Sequence, residues 1–318
     1  MREDYSILQI IANNSIVIYG TGYIATKLSE LMALLGVQSR CYVVSNGHLE
    51  NNLFCYKPVV EIKNYKQREN EIVLVAVGEL YKAEIAENLE ELQIEYYCVS
   101  EDDLKFLVRR INKISTDDFL TSVKPVSDMF GLDRGQPIDR YYIESFLKAE
   151  CQNQNPELTL EVGDDSYSNL YFGQAEHEIL DFSKGMDLTK TGSIKREAYD
   201  VFICTQTLNF IYDIRAAIQG CYDLLKKDGI LLATVAGNIS QISRYDMDRW
   251  GDYWRFTELS ITRLFKEVFG DKVETRLYGN CMAATAFIQG LAVEDIDSKL
   301  LDKCDPDYSI VIGIVAVK

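Results

Sequence analysis

The sequence predicts an α/β protein made of two successive units, each a mostly parallel sheet covered by helices. Three observations predict it. From Ser15 to about Ile111, short apolar runs of β type alternate with segments whose apolar residues recur at helical spacing. That periodicity breaks across residues 113–136, where polar and turn residues gather as in a linker. A second alternating series then runs from Ile138 to the end, and 318 residues agrees with two domains of roughly 150 residues each.

In the first unit, Ser15 to Gly20, Arg40 to Ser45, Glu71 to Val77 and Ile94 to Val99 read as strands, with helices from Tyr23 to Leu35 and from Leu80 to Leu92. In the second unit, strands are expected at Leu158 to Val162, Ile179 to Phe182, Tyr199 to Cys204, Gly229 to Val235, Val273 to Tyr278 and Ser309 to Val317. Helices fill the gaps at Ile138 to Ala149, Ile214 to Leu225, Glu258 to Phe269 and Ala283 to Leu291.

Composition excludes more than it identifies. Hydrophobic residues at 47% with 26% charged make a normal globular balance rather than a disordered one. Thirty-three Lys and Arg against 49 Asp and Glu leave a formal charge of -16, a field that repels polyphosphate, so nucleic acid is not an expected substrate. No stretch has the length of a membrane span, and the N-terminal residues lack the pattern of a secretory signal, so the expected location is the cytoplasm. The eight cysteines are scattered with no CxxC spacing and read as reduced, small hydrophobes. With two histidines besides, no metal is expected.

Gly20, Gly22 and Ala25 form a glycine turn between a strand and a helix, where free helix N–H groups can face an anion. A dinucleotide site also wants an acid after the second strand, and this chain has Val44 and Ser45 there. The unit resembles the small Rossmann-like domains of bacterial sugar-modifying proteins, with Lys57 to Val60 and Val75 to Gly78 fitting that pattern. The resemblance implies either a sugar-nucleotide site or a purely structural role.

In the second unit, Glu161 and Gly163 follow the first strand as an acid and a glycine turn, Asp181 ends the second strand, and Asp187 with Leu188 comes just beyond. Thr205 and Gln206 close the strand that begins at Tyr199, and Leu224 to Gly229 leads from helix to strand, with Gly229 the expected helix stop. These segments, in this order, resemble the class I S-adenosylmethionine-dependent methyltransferases over roughly 180 residues. That resemblance implies a seven-stranded sheet with one antiparallel strand, Ser309 to Val317. It also implies a cofactor site in which Glu161 and Gly163 serve the methionine part and Asp181 the ribose hydroxyls. Asp187 and Leu188 would flank the adenine, and Thr205 and Gln206 would face the transferred methyl group. Asp165 and Tyr167 stand where that family has further glycines, which is this chain's main departure from the pattern.

Residues 239–255 concentrate aromatic, guanidinium and carboxylate groups after the fifth strand. Arg244, Tyr245, Arg249, Trp250, Tyr253 and Trp254 suit a polar, ring-shaped acceptor such as a sugar, and Asp246 or Asp248 is the candidate base. A network of ion pairs that merely anchors the loop is the alternative. Together with residues 133–142, the segment resembles methyltransferases that work beside glycosyltransferases in bacterial polysaccharide assembly. The expected reaction is methyl transfer to a hydroxyl of a saccharide or nucleotide-sugar, with glycosyltransferases as possible partners. The competing readings are a binding or assembly protein that keeps the fold without the activity, and an NAD-dependent sugar-modifying oxidoreductase built on the turn at Gly20.

Overall fold

The computed structural model describes residues 7–111 and 122–318, and these form two compact units. The first contains α1 (Ile7–Asn13), β1 (Ser15–Tyr19), α2 (Tyr23–Leu34), β2 (Tyr42–Val44), β3 (Leu53–Phe54), β4 (Lys57–Glu61), β5 (Glu71–Val75), α3 (Glu79–Glu91), β6 (Tyr96–Cys98) and α4 (Glu101–Ile111). Its sheet runs β3-β4-β2-β1-β5-β6, parallel except where β3 meets β4. Side chains alternate across a strand, so Ile16 and Ile18 of β1 join α1, α2 and α4 in one core while Val17 and Tyr19 join α3 in the other. Burial on both faces explains why these strands read as unbroken apolar runs. The hairpin of β3 and β4 was not among the expected strands, because two residues of β3 are too few for any periodicity to show.

The second unit contains α5 (Ile138–Cys151), β7 (Leu158–Val162), α6 (Ser166–Phe172), β8 (Glu176–Leu180), β9 (Tyr199–Thr205), α7 (Ile214–Leu224), β10 (Leu225–Ala236), α8 (Arg244–Met247), α9 (Glu258–Phe269), β11 (Val273–Tyr278), α10 (Cys281–Ile288) and β12 (Val311–Val317). Its sheet runs β11-β12-β10-β9-β7-β8. β12 lies antiparallel between β10 and β11, and the other pairings are parallel. The expected antiparallel strand is therefore present.

Among the described residues this sheet has six strands and not the expected seven. Between β8 and β9 the chain makes the short turns Phe182–Lys184 and Thr191–Ser193. A parallel strand and its crossover need a dozen or more residues of connection, usually a helix, and this stretch folds as turns instead. Gly229 is not the helix stop either. α7 ends at Leu224, Leu225 is already extended, and Asp228 takes the left-handed conformation at φ 63 while the register shifts before Ile230.

Residues 113–121 of the expected linker lie outside the described residues. Further on, residues 122–132 and Gln136 of the expected linker belong to the second unit: Ser127 N donates to the Gln289 carbonyl at 3.1 Å, and Val293 N donates to the Gln136 carbonyl at 2.9 Å. The core beneath the sheet joins Phe202, Cys204, Leu231 and Ile314 to Ile218, Phe265 and Leu188 from the covering segments. No helix among the described residues is long and apolar enough to cross a membrane.

Candidate functional site

Open parallel sheets place ligands beyond the carboxyl ends of their strands, because the strand-to-helix turns gather there. In the second unit those turns follow β7, β8, β9 and β10, and they carry nearly every residue singled out above. A cleft of about 780 Å3 lies elsewhere, at the amino edge of the sheet, with Glu157, Tyr171, Glu176 and Lys226 in its walls. Lys226 there is paired with Asp200 at 2.7 Å, whereas Gln206, Asn209 and Gln241 carry unpartnered polar atoms at the carboxyl edge.

After β7, Gly163 turns the chain at φ +88, and no atom lies within 4 Å of where its Cβ would stand. Glu161 is buried, and its two oxygens accept the N–H groups of Tyr167 at 3.2 Å and Ser168 at 2.7 Å. It fixes the start of α6. Burial raises its pKa above the usual carboxylate value, against the pull of the Ser168 and Tyr167 donors. Tyr167 is turned inward, where its hydroxyl accepts from Arg140 Nη1 at 2.7 Å. Of the two replaced glycines, this one leaves the turn unobstructed.

After β8, Asp181 caps the following turn: its Oδ1 accepts from Ser183 N at 2.9 Å and Ser183 Oγ at 2.6 Å, and Lys184 Nζ stands 3.3 Å from Oδ2. The Ser183 hydroxyl, with Lys184, holds the carboxyl below the usual range. Asp187 is engaged in the same way by Thr189, through N and Oγ1, both at 2.8 Å. Leu188 is 3% exposed and packs in the core, so it offers no face to an adenine ring. The apolar surface beside Asp181 is instead Phe182, 61% exposed. Nothing in the sequence separates Phe182 from the core phenylalanines, since its position directly follows the end of an apolar strand.

After β9, Thr205 accepts the Thr207 hydroxyl on its carbonyl at 3.0 Å, and Gln206 is left-handed at φ 46. That conformation is rare for a residue with a side chain and marks local strain. Gln206 N donates to the Thr234 carbonyl at 2.8 Å, which ties the turn to β10.

The 239–255 loop divides into an anchor and an open part. Arg255 and Asp252 form a two-pronged ion pair at 2.6 and 2.8 Å, and Arg255 also donates to the carbonyls of Ser240 and Gln241. The anchoring network foreseen as the alternative therefore exists in these two residues. Asp246 is drawn into the cap of α8 through Ser243 Oγ at 2.5 Å, whereas Asp248 is exposed and has no side-chain partner among the described residues. Arg249 lies 3.4 Å over the ring of Tyr245, and its Nη1 donates to the Tyr245 carbonyl at 2.7 Å. Arg244 meets the Met247 sulfur at 3.4 Å. Neither arginine is in a salt bridge among the described residues.

Trp254 donates through Nε1 to the Ile211 carbonyl at 3.1 Å and stacks with Tyr212 and Phe256. It is part of the support. The exposed rings are Tyr245, which carries Arg249 on one face, with Trp250, Tyr253 and Tyr212, the last 71% exposed and 5.4 Å from Tyr253 in an edge contact. The sequence reading did not include Tyr212, because it lies far along the chain from Tyr253 and Trp254, the rings that it packs against.

In the first unit, Gly20 is left-handed at φ 112, Gly22 caps α2 without any side-chain bond, and Ala25 is buried within α2. Ser45, beyond β2, bonds through Oγ to Tyr19 OH at 3.0 Å. Among the described residues no group of three or more His, Cys, Asp or Glu is placed to hold a metal.

No family model matches this chain. No curated protein matches it either. Solved structures do resemble it. A methyltransferase dependent on S-adenosylmethionine from Archaeoglobus fulgidus is 12% identical over 56% of this chain and 94% of its own, with a TM-score of 0.39. The N-methyltransferase NodS from Bradyrhizobium japonicum, in complex with S-adenosyl-L-homocysteine, is 12% identical over 63% and 95%, with a TM-score of 0.36. Phosphoethanolamine N-methyltransferase 2 of Haemonchus contortus, in complex with S-adenosyl-L-methionine, is 11% identical over 98% and 96%, with a TM-score of 0.41. At such identity and superposition these likenesses carry no function to this chain.

Proposed function

We propose that residues 137–318 are an S-adenosylmethionine-dependent methyltransferase domain acting on a hydroxyl of a saccharide or nucleotide-sugar in surface polysaccharide assembly. Residues 1–112 would be a small Rossmann-like domain that does not use NAD, and the neighbouring glycosyltransferases of such a pathway are its proposed partners. The observation that carries the reading is the unobstructed turn at Gly163, with a carboxylate and an exposed aromatic ring following the adjacent strand. An open turn accommodates a close-lying ligand, Asp181 can accept from vicinal hydroxyls, and Phe182 can lie against a flat base. Tyr167 turning inward removes half of the objection raised by the missing glycines.

The cofactor supplies a methyl group on a positively charged sulfur. The chain's task is to hold an acceptor oxygen in line with that methyl and to take away the hydroxyl proton. Asp248 is the better placed of the two candidate bases, since the Asp246 carboxylate already serves α8. Arg244 and Arg249 provide local positive charge on an acidic protein for the phosphates of an activated acceptor. Asp181 favours the alternative of an inactive assembly protein, because both its oxygens already have partners.

Calorimetry with S-adenosylhomocysteine separates the two. Saturable binding that Asp181→Ala weakens by about 1–3 kcal/mol is expected, the scale of hydrogen bonds to a charged group. No binding by the unaltered protein supports the assembly reading and ends this one.

A further inference from the structure

Four buried side-chain atoms without hydrogen-bond partners follow the carboxyl ends of three strands: Ser168 Oγ after β7, Gln206 Nε2 and Asn209 Oδ1 after β9, and Gln241 Nε2 after β10. Buried polar atoms are normally paired, so each orphan asks for an explanation. Two of them share the single turn that carries the left-handed Gln206. One is a donor and the other an acceptor, and they are not bonded to each other, since neither has any partner.

That turn is held rigidly. Asn209 is 3% exposed, and its carbonyl accepts the N–H groups of Tyr253 at 2.9 Å and Trp254 at 3.2 Å. Three residues on, Tyr212 contacts the rings of Tyr253 and Trp254. The backbone of the turn thus supports the aromatic loop, while its amide side chains are left with unused capacity.

We infer that the 206–212 turn and Tyr253 form an acceptor subsite that selects a hydroxyl, or a pair of neighbouring hydroxyls, on a ring-shaped neutral group. The role of the subsite rests on the methyl-transfer reading, although its existence does not. A hydroxyl both accepts and donates, so a hydroxyl or a neighbouring pair of hydroxyls matches an unpaired donor at Gln206 and an unpaired acceptor at Asn209. An ammonium group only donates and leaves Gln206 unpaired. A phosphate or carboxylate only accepts and leaves Asn209 unpaired. Sites built to bond a hydroxyl discriminate strongly because a wrong ligand leaves buried groups unsatisfied. Gln206 and Asn209 are positioning residues here, and Tyr212 with Tyr253 supplies faces against the C–H side of a ring.

The chain's two tryptophans, Trp250 and Trp254, both lie in the adjoining loop, so emission excited where tyrosine does not absorb reports on this region. The full chain is titrated with UDP-N-acetylglucosamine and UDP-glucose, with phosphocholine as the cationic probe and inorganic pyrophosphate as the anionic one. Saturable emission changes with a sugar nucleotide are expected, weakened at least about tenfold by Gln206→Leu and by Asn209→Leu, with pyrophosphate binding unaltered by either. Tyr212→Ala, at an exposed position where misfolding is not at issue, is expected to weaken sugar-nucleotide binding as well. The inference is overturned if no sugar nucleotide changes the emission, if phosphocholine binds in preference, or if the variants bind like the unaltered protein. S-adenosylhomocysteine calorimetry on the same samples keeps the two readings apart. Sugar binding without it removes methyl transfer and leaves the subsite, and the converse removes the subsite alone.

Discussion

Asp252 and Arg255 determine the shape of the loop that carries both tryptophans. The Asp252 side chain is fully buried, its two oxygens meet the Arg255 guanidinium, and the same guanidinium gathers the carbonyls of residues 240 and 241. Removing one partner of a buried pair strands the other charge, which costs about 3–5 kcal/mol where water is excluded. Asp252→Ala is therefore expected to release the loop, seen as a red-shifted tryptophan emission and a lower urea concentration for that change. Asp248→Asn, at an exposed carboxylate, should leave the emission unmoved. If both substitutions leave it unmoved, Asp252 does not hold the loop. The loop's density of charged and aromatic residues was visible in the sequence, but not which acid was buried. That depends on Ser243 N, Ser240 and Gln241 converging from the other end of the loop.

Elements meet most closely where α7 crosses the segment after β8. Gly220 lies in the middle of α7, and a Cβ there would stand 1.9 Å from the Leu188 carbonyl oxygen. Alanine ordinarily improves a helix over glycine by about 0.5–1 kcal/mol. At this position the overlap is with backbone, and overpacking of that kind costs about 1–3 kcal/mol. Gly220→Ala should thus lower the urea midpoint, and a rise would show that the two segments separate easily. The same crowding explains Leu188. An apolar residue after an acid read as a ring-facing contact in the sequence, and the approach of α7 draws it into the core instead. The seventh strand was expected from the family resemblance alone: the residue pattern marked six, and six are present among the described residues.

At the scale of the molecule, each unit carries a carboxylate whose titration couples to folding. For Asp200, burial pushes the pKa up, but Lys226 and the N–H groups of Leu158 and Glu157 outweigh it and leave it below its ordinary value of 3.8. For Glu71, burial acts in the same direction and is outweighed by Arg40, Tyr65 and the Arg68 N–H, leaving it below 4.5. A folded value below the unfolded one means that the unfolded chain binds more protons as the pH falls. The stabilisation is complete above the unfolded value and is lost as pH drops through the folded one. Urea midpoints should therefore hold steady from neutrality to about pH 6 and fall by about pH 3, and Asp200→Asn should make that fall shallower. An equal fall in the variant would show that other carboxylates govern acid unfolding.

The sequence by itself determined the class of fold, the strands β1, β2, β5 and β6 of the first unit and the six strands of the second, while the antiparallel direction of β12 came from the family resemblance. Period-two and period-3.6 patterns are local, and burial imprints them on these longer elements but not on the two residues of β3. Only the tertiary structure decided the state of the polar groups. Whether Asp181, Asp246, Asp248 or Glu161 has a free oxygen depends on which N–H or hydroxyl the fold brings within 3 Å or so. The pairing of Tyr212 with Tyr253, and the unused amides of Gln206 and Asn209 beside them, arise from turns that are distant in sequence. No periodicity records such a meeting, because it is made by the sheet that aligns the carboxyl ends of β9 and β10.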